Sequence, residues 1–345
     1  MTATDITAFG VDPAVVDMMG RVFADHRESH PPTAGVERDS TLWQTLDELG
    51  LLRLTGAESA GGSGAGWYEA AELLAAAVHH GVRIPLAEHD LLACWLLEAN
   101  TMECDKAVRT AAMLSDQRVA TAVPWATGAE RIVIVWPTGD EYRVADVEVA
   151  ALDITPGINL IGEPRDTVRA DVGTLTGAPL AAELVAVLRR KSALVRSVQV
   201  CAALDRILAL SIEHCGSRVQ FGRPLSKFQT VQNLISDIAA ETALARAATE
   251  AALTAAVTSD WSAAKLDFLI AVARSCTGHA TSVVVRNAHQ VHGAMGTTLE
   301  HRLHEFTRPA LAWRSEFGSM QHWDGQVTDA AIQAGTAGLW SLITG

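Results

Sequence analysis

The sequence predicts a mainly α-helical protein with a small β domain near its centre. Ala-rich amphipathic runs occupy the segment from Asp12 to about Asp116, and their apolar residues recur at helical spacing. The composition then changes to short runs of β-branched residues, and after Thr176 the helical spacing returns in three long units. We therefore predict a helical N-terminal domain at 1–119, a short β domain at 120–175 and a helical C-terminal domain at 176–345.

The N-terminal and central elements follow from local patterns. A glycine cluster at 61–64 punctuates the first helical segment, whose clearest amphipathic runs are 42–54 and 68–80. Short β-branched runs bounded by Gly, Pro or Asp predict the strands, at 120–124, 131–137, 142–149 and 168–172.

The long helical units show the same periodicity three times. In the first, Leu194, Val198 and Cys201 recur at steps of three and four, and similar series begin at Phe228 and Leu266. Each unit has about 30 residues and would reach roughly 45 Å at the rise of an α-helix. Short connections between the units favour antiparallel neighbours, so we expect a C-terminal antiparallel helix bundle.

Composition and charge limit the possible partners. The 345 residues are 49% apolar and 19% charged, as in folded soluble proteins, and their net charge of −13 would repel nucleic acid and acidic membranes. No run approaches the roughly 18 apolar residues of a membrane span. Residues 1–10 contain neither the basic patch nor the apolar core of a signal peptide. The five cysteines form no CxxC pair, which is typical of free thiols. We expect a cytoplasmic protein with no nucleic-acid or membrane partner.

Two segments could hold an anionic cofactor. The first is a stretch of ten residues that contains three cations, Arg218, Arg223 and Lys227, although the chain as a whole is acidic. A guanidinium binds a phosphate through paired N–H groups. At the end of the third long unit, Gly293 and Gly296 would let the backbone approach a pyrophosphate closely, and a following helix N-terminus would add N–H groups.

The same residues also have structural interpretations. Ser226 with Gln229, and Thr297 with Glu300, have the spacing of capping boxes. Gly293 has the position of a helix stop. Both interpretations stay open for each segment taken singly.

Taken together, the segments resemble motifs of the acyl-CoA dehydrogenase family. Residues 218–229 read RVQFGRPLSKFQ, similar to the family's Arg-x-x-Phe-Gly...Phe/His-Gln pattern, and residues 290–296 read QVHGAMG, similar to its Gln-x-x-Gly-Gly-x-Gly pattern. Residues 42–64 resemble its N-terminal Gly-Leu...Pro-Glu-x-x-Gly-Gly stretch, and the domain order is the same. The resemblance implies the acyl-CoA dehydrogenase fold and α,β-dehydrogenation of an acyl-CoA thioester, with FAD as cofactor and an electron-transfer acceptor.

The resemblance also implies which residues contact the cofactor. In the family these motifs hold the ADP half of an FAD that is bound mainly by a neighbouring subunit. The matching positions in this chain are Arg218, Phe221, Gln229, Gln290, Gly293 and Gly296.

The positions of the family's catalytic base depart from the pattern. Alignment on Arg308 and Gly318 puts Phe317 where most members carry Glu, and a phenyl ring cannot take a proton. Glu316 is one residue away, and in a helix that offset would turn its side chain by about 100°. The family's alternative position falls at about Ser192, whose hydroxyl is a poor general base. We predict no catalytic residue in this chain, with Glu316 as the remaining candidate.

The β domain departs from the family as well. A Thr-Glu-x-x-x-Gly-Ser segment that touches flavin and substrate should follow a strand near Ala120, yet residues 121–129 read TAVPWATGA. A chain with the ADP-half contacts but without ring contacts or base needs a second subunit that has them. The pattern resembles the smaller subunit of the α2β2 acyl-CoA dehydrogenases of actinobacterial steroid and cholesterol side-chain degradation. It implies a longer acyl-CoA dehydrogenase subunit as partner.

Other hypotheses remain. A complete homo-oligomeric dehydrogenase would use Glu316, and a structural paralogue would lack flavin, because fold alone does not imply activity. Two His-x-x-His pairs, His289 with His292 and His301 with His304, have the spacing of metal ligands on one helical face. No carboxylate or cysteine completes them in order and a glycine break separates them, so we expect no metal.

Overall fold

The computed structural model describes residues 10–31 and 36–344, and the chain divides into two compact units, Met1–Ser192 and Ala193–Gly345. The predicted mainly α fold with a small sheet region is confirmed. The division into three domains at 119 and 175 stays a prediction.

The first unit begins with short helices. α1 (Pro13–Ser29) starts after Asp12, whose carboxylate accepts a hydrogen bond from the Ala14 amide at 2.9 Å, and Asp39 caps α2 (Ser40–Glu48) in the same way. A 3-10 turn (Glu58–Ala60), α3 (Trp67–His79), a π-helix (Ala87–Cys94) and α4 (Trp95–Ala99) follow. The glycine cluster closes the loop before α3, since a Cβ at Gly62 would lie 2.2 Å from the carbonyl oxygen of Gly56.

Two small sheets follow the helices. The strands are β1 (Arg109–Met113), β2 (Val119–Pro124), β3 (Arg131–Thr138), β4 (Glu141–Glu148), β5 (Asp153–Thr155), β6 (Arg165–Arg169) and β7 (Ala178–Leu180). One sheet has the order β1-β3-β4-β7, with β1 and β3 parallel, and the other has the order β2-β6-β5. Each of the four predicted runs overlaps a strand. β1, β5 and β7 are additional, because strands of three to five residues are too short to show an alternating pattern.

The run at 131–137 is buried on both faces of its sheet. Ile132 and Ile134 pack in one apolar cluster with Val123 and Val168. Alternating with them, Val133 and Val135 pack in a second cluster with leucines of the π-helix, α4 and the start of the next helix. A continuous β-branched run fits this double burial.

The second unit is a bundle of long helices. α5 (Ala182–Ser217) crosses the division at Ser192 and is followed by α6 (Gln229–Thr258), α7 (Leu266–His292), α8 (His304–Trp313) and α9 (Met320–Thr344), which is interrupted at Gly335. α6 and α7 pack antiparallel, and the Asn287 amide near the end of α7 lies 3.5 Å from the Asp237 carboxylate near the start of α6. By length and composition the segment Leu266–Thr297 could cross a membrane, but half of its most apolar window is buried, as in a core helix.

The π-helix of the first unit carries the consecutive buried residues Glu88, His89 and Asp90. Asp90 Oδ2 accepts hydrogen bonds from the amide and the hydroxyl of Thr55, both at 3.0 Å. Its Oδ1 is buried without a hydrogen-bond partner among the residues that the structure describes. Burial therefore outweighs these bonds and raises the pKa of Asp90 to about 6.

The free energy of unfolding should depend on the charge of Asp90. A carboxyl group with a higher pKa in the folded state stabilises the fold at low pH, and this contribution is lost as the pH rises through about 6. The loss between about pH 5 and about pH 7.5 should be about 1 kcal/mol, and Asp90→Asn should abolish it. Urea unfolding of both proteins at the two pH values measures the difference.

The comparison isolates Asp90. His89, whose pKa burial lowers to about 3, is present in both proteins, so its own pH dependence cancels. The matched control is Asp116→Asn, a change at an exposed turn, which should keep the wild-type pH dependence. An Asp90→Asn protein with the same pH dependence as wild type would contradict the expectation.

Candidate functional site

Both predicted anion-binding segments lie at one end of the helix bundle. α5 ends at Ser217, α6 begins at Gln229 and α7 ends at His292. The ring centroids of His214 and His292 are 4.4 Å apart, which joins the end of α5 to the end of α7. The antiparallel course of α6 and α7 therefore brings the two motif segments to the same part of the second unit.

The first segment is a short β-hairpin between α5 and α6. β8 (Val219–Gln220) pairs with β9 (Arg223–Pro224) across a two-residue turn, in which Phe221 and Gly222 have φ angles of 50° and 79°. Two positive φ angles in a two-residue hairpin are typical of a type I′ turn, and Phe is an unusual residue in it. The Phe221 side chain is 90% exposed. Its ring meets the Phe228 ring edge to face, with the ring centroids 6.2 Å apart.

The predicted contact residues of both segments are largely uncommitted. The Arg218 side chain is exposed and makes no ion pair or side-chain hydrogen bond with the described residues. Gln229 is exposed and its amide donates to Asn233 Oδ1 at 3.0 Å, and Gln290 is also exposed. All three side chains can therefore reach a ligand.

The capping interpretations are not observed. Phe228 stands at the N-cap of α6 without a side-chain cap, and the Thr297 hydroxyl donates to the Ala294 carbonyl instead of capping a helix. Gly293 does end α7, where its amide donates to the carbonyl of His289. It has φ 58°, and a Cβ at this position would meet nothing within 4 Å, so the backbone is open to a ligand as well.

Gly296 has a packing role. It is buried, and a Cβ there would lie 2.7 Å from the Cβ of His292 and 3.2 Å from Leu303 Cδ2. The expected helix N-terminus does not follow it directly, because a 3-10 turn continues to Thr297 and α8 begins only at His304. Arg218 and Gly293 thus remain the candidates for direct contact with a phosphate.

The turn after α8 contains the positions expected for the base. Glu316 lies in this turn and not in a helix, so the rotation of about 100° expected for neighbouring helical residues does not apply to its side chain. Its Oε2 accepts a hydrogen bond at 2.7 Å from Nε of Arg196, a side chain of α5 that is 1% exposed. Phe317 follows with φ 55°, and its ring lies 5.1 Å from the Arg196 guanidinium. Glu316 is therefore held in a buried ion pair.

A second buried guanidinium fixes the same turn. Arg274 of α7 is fully buried, and its Nη2 donates to the carbonyl oxygens of Trp313, Arg314 and Glu316 at 3.4, 3.0 and 2.7 Å. Its Nε and Nη1 have no hydrogen-bond partner among the described residues. Burial and the charge of Arg196 lower the pKa of Arg274 to about 9, and Glu316 opposes this shift. The Glu316 carboxylate thus balances a strongly positive buried site.

The other two departures from the family pattern also have local explanations. The Ser192 hydroxyl is buried and donates to the Leu188 carbonyl at 2.8 Å. In the segment 121–129, Trp125 and Ala126 are buried, and the amide and hydroxyl of Thr127 donate to Asp166 at 2.8 and 3.0 Å. These side chains are occupied within the first unit.

Sequence reasoning missed Arg196, Arg274 and His214. The two arginines interrupt apolar runs of α5 and α7, and a lone cation on an apolar helical face was the available signal. His214 lies far from both His-x-x-His pairs in sequence. The structure joins it to one member of each pair, His292 and His301, and leaves His289 and His304 outside that group.

Comparison with known proteins agrees with this architecture. Residues 190–327 match the model of the acyl-CoA dehydrogenase C-terminal domain. The acyl-CoA dehydrogenase IpdE2 of Mycolicibacterium smegmatis is 27% identical over 278 residues, which cover 79% of this chain and 82% of that protein. IpdE2 of Mycobacterium tuberculosis is 31% identical over 119 residues, which cover 34% of this chain and only 35% of that protein.

Solved structures show the same fold over almost the whole chain. The structure of the ChsE4–ChsE5 complex from Mycobacterium tuberculosis superimposes with a TM-score of 0.78 and 20% identity, covering 97% of this chain and 98% of that one. A variant of the Tcur3481–Tcur3483 steroid ACAD gives 0.80 and 18%, covering 93% and 97%. The predicted acyl-CoA dehydrogenase fold is confirmed, and residues 190–327 match the acyl-CoA dehydrogenase C-terminal domain.

Proposed function

We propose that this chain is the non-catalytic subunit of an FAD-dependent acyl-CoA dehydrogenase, with the catalytic Glu supplied by a longer partner subunit. One contrast carries the proposal. Glu316, the candidate base, is committed to buried Arg196, while Arg218 at the cofactor end of the bundle is exposed and uncommitted. A base must be able to take a proton from substrate, and a carboxylate that balances buried guanidinium groups is poorly suited to that task.

The residues at the end of the bundle fit the ADP half of FAD. Arg218 offers a guanidinium to a phosphate, and at Gly293 a Cβ would meet no described atom within 4 Å, so its backbone is open to a ligand. Gln229 and Gln290 present exposed amides on either side of them. A bound flavin supplies the hydride acceptor in α,β-dehydrogenation, and this chain would contribute its placement.

Exposed apolar side chains around the same motifs support a protein partner. Phe221 and Leu299 are 90% and 84% exposed, and Val219 and Met295 are also exposed. Apolar side chains grouped at a ligand-binding surface are typical of a protein interface. The partner would cover them while it supplies the flavin-ring contacts, in an assembly of the α2β2 type.

The relatives support the substrate class. The relatives from the two mycobacterial organisms are named acyl-CoA dehydrogenases, one structural neighbour is a complex of two proteins, and another is described as a steroid ACAD. We therefore propose an acyl-CoA thioester as substrate, with a steroid side-chain CoA ester as the first class to test. We also propose that the complex works in the cytoplasm and passes electrons to an electron-transfer acceptor.

The first experiment is production of the chain alone and together with the product of the adjacent gene. Alone it should be colourless or substoichiometric in FAD, because half of the contacts belong to the partner. Together the two should form a complex that retains FAD. Flavin absorbance per chain and native mass measure both states, and a stable homotetramer with one FAD per chain would instead support the self-sufficient enzyme.

Arg218 should fasten the FAD of the assembled complex. A charge-assisted hydrogen bond contributes roughly 1.5 to 3 kcal/mol, so Arg218→Ala should weaken FAD retention about tenfold or more. Equilibrium dialysis of the complex measures it. Arg286→Ala, which removes an exposed cation of α7 outside both motifs, is the control and should leave retention unchanged. Equal retention in both variants would return Arg218 to ordinary surface charge.

Glu316→Gln distinguishes the proposal from a chain that uses Glu316 as base. Turnover of the folded complex should stay within about threefold, or roughly 0.7 kcal/mol in barrier, because proton abstraction occurs in the partner. Stability should fall by about 3 to 5 kcal/mol, because the variant leaves Arg196 buried beside Arg274 without its carboxylate.

The control for folding removes both partners of the pair. Arg196→Met with Glu316→Met should lose much less stability than Glu316→Gln and should keep the same turnover, since no uncompensated charge is created at Glu316. A hundredfold loss of turnover in both variants, with FAD content and folding intact, would make this subunit catalytic. Replacing the catalytic Glu of the partner should abolish turnover.

A further inference from the structure

Three imidazole rings from distant parts of the chain meet at the cofactor end of the bundle. His214 lies near the end of α5, His292 ends α7, and His301 lies in the turn before α8. Each residue offers one ring nitrogen, and these three nitrogens all lie within 4.8 Å of one another. The ring centroids of His292 are 4.4 Å from His214 and 4.6 Å from His301.

The hydrogen bonding of His292 leaves one nitrogen for a ligand. Its Nδ1 lies 2.8 Å from the Ala288 carbonyl oxygen, so this nitrogen must carry the proton in order to donate. The neutral ring then has its lone pair on Nε2. That atom is buried and has no hydrogen-bond partner among the described residues, although a buried acceptor without a partner costs free energy.

The surroundings keep the cluster neutral. His292 and His214 are 4% and 8% exposed, and burial is the first cause that lowers the pKa of both rings and of His301. Arg218, one turn after His214, adds to the shift at His214. Neutral imidazole is the form that binds a metal ion, and a carbonyl bond at the second ring nitrogen is the usual orienting contact of a ligating His.

We propose that His214, His292 and His301 bind a divalent transition metal ion of the zinc class. Three imidazoles with a water molecule in the remaining position make a common tetrahedral zinc set. The metal ion would tie the end of α5, the end of α7 and the turn before α8 together, directly beside Arg218 and Gly293. The proposal concerns metal binding alone and does not depend on the proposed dehydrogenase function.

His301 should be the weakest of the three ligands. It is partly exposed, and its Nδ1 accepts a hydrogen bond from the Leu303 amide at 3.1 Å. A neutral ring that accepts at Nδ1 carries its proton on Nε2, so a metal ion at either nitrogen would require this hydrogen bond to break. The His-x-x-His spacing pairs His301 with His304 instead. In the structure His304 Nδ1 lies 2.9 Å from the His301 carbonyl oxygen.

The test uses the full chain without an affinity tag, treated with chelator and then titrated with Zn²⁺ by calorimetry. Wild type should bind one Zn²⁺ per chain and gain thermal stability on binding. Co²⁺ in place of Zn²⁺ should give the ligand-field absorption of a tetrahedral site. Binding of less than one ion per chain with no rise in melting temperature would overturn the proposal.

Variants assign the ligands. His292→Ala and His214→Tyr should weaken Zn²⁺ binding by about a hundredfold or more, since even partners outside the first shell are typically worth 10- to 100-fold, and His301→Ala should weaken it less. His214→Tyr keeps an aromatic ring stacked on His292, so it decides the question even if His292→Ala does not fold. His279→Ala, an exposed His of α7 paired with Asp324, is the matched control and should bind as wild type does. Equal binding by His214→Tyr and His279→Ala would overturn the proposed site.

Discussion

The buried guanidinium of Arg274 determines the structure of the turn after α8, where the family's catalytic base is expected. It gathers the last carbonyl groups after α8, and carbonyls at a helix C-terminus carry the negative end of the helix dipole. This fixes the turn that holds Glu316. The carboxylate is paired with Arg196, and Phe317 has a positive φ with its ring beside the same guanidinium. The chemistry of Glu316 is therefore decided by two arginines that lie far from it in sequence.

The packing around Gly318 reinforces this arrangement. A Cβ at Gly318 would lie 2.6 Å from the indole nitrogen of Trp323, and that indole donates to the Gly318 carbonyl at 3.1 Å. Gly318 is thus required for close packing of the turn against α9, whether or not a ligand is near. A glycine that matches a family motif can be kept for packing alone, as Gly296 also shows beside His292.

Much of the fold could be predicted because its determinants are local. The long helices repeat their apolar residues over many turns, and the β-branched run at 131–137 fills both faces of a sheet. The π-helix at 87–94 could not be predicted, since its buried Glu88, His89 and Asp90 look like a polar break in a helical pattern. The short strands β5 and β7 were not predicted either. Three residues are too few to show an alternating apolar pattern, and such strands depend on pairing with the neighbouring strand.

The candidate site also contains features that are local in sequence and features that depend on distant residues. Phe221 and Gly293 belong to contiguous motifs, so they could be named as candidates from the sequence, but the hairpin that holds Phe221 was not predicted. The pairing of Arg196 with Glu316 spans 120 residues, and the approach of His214 to His292 requires α5 and α7 to end side by side. No local pattern encodes either contact. The candidate residues differ in whether their polar groups have partners. Arg218 is exposed and makes no ion pair with the described residues, whereas Glu316 is paired with buried Arg196 and the Ser192 hydroxyl donates to the Leu188 carbonyl. We infer that Arg218 depends on another molecule for a partner and that Glu316 and Ser192 do not.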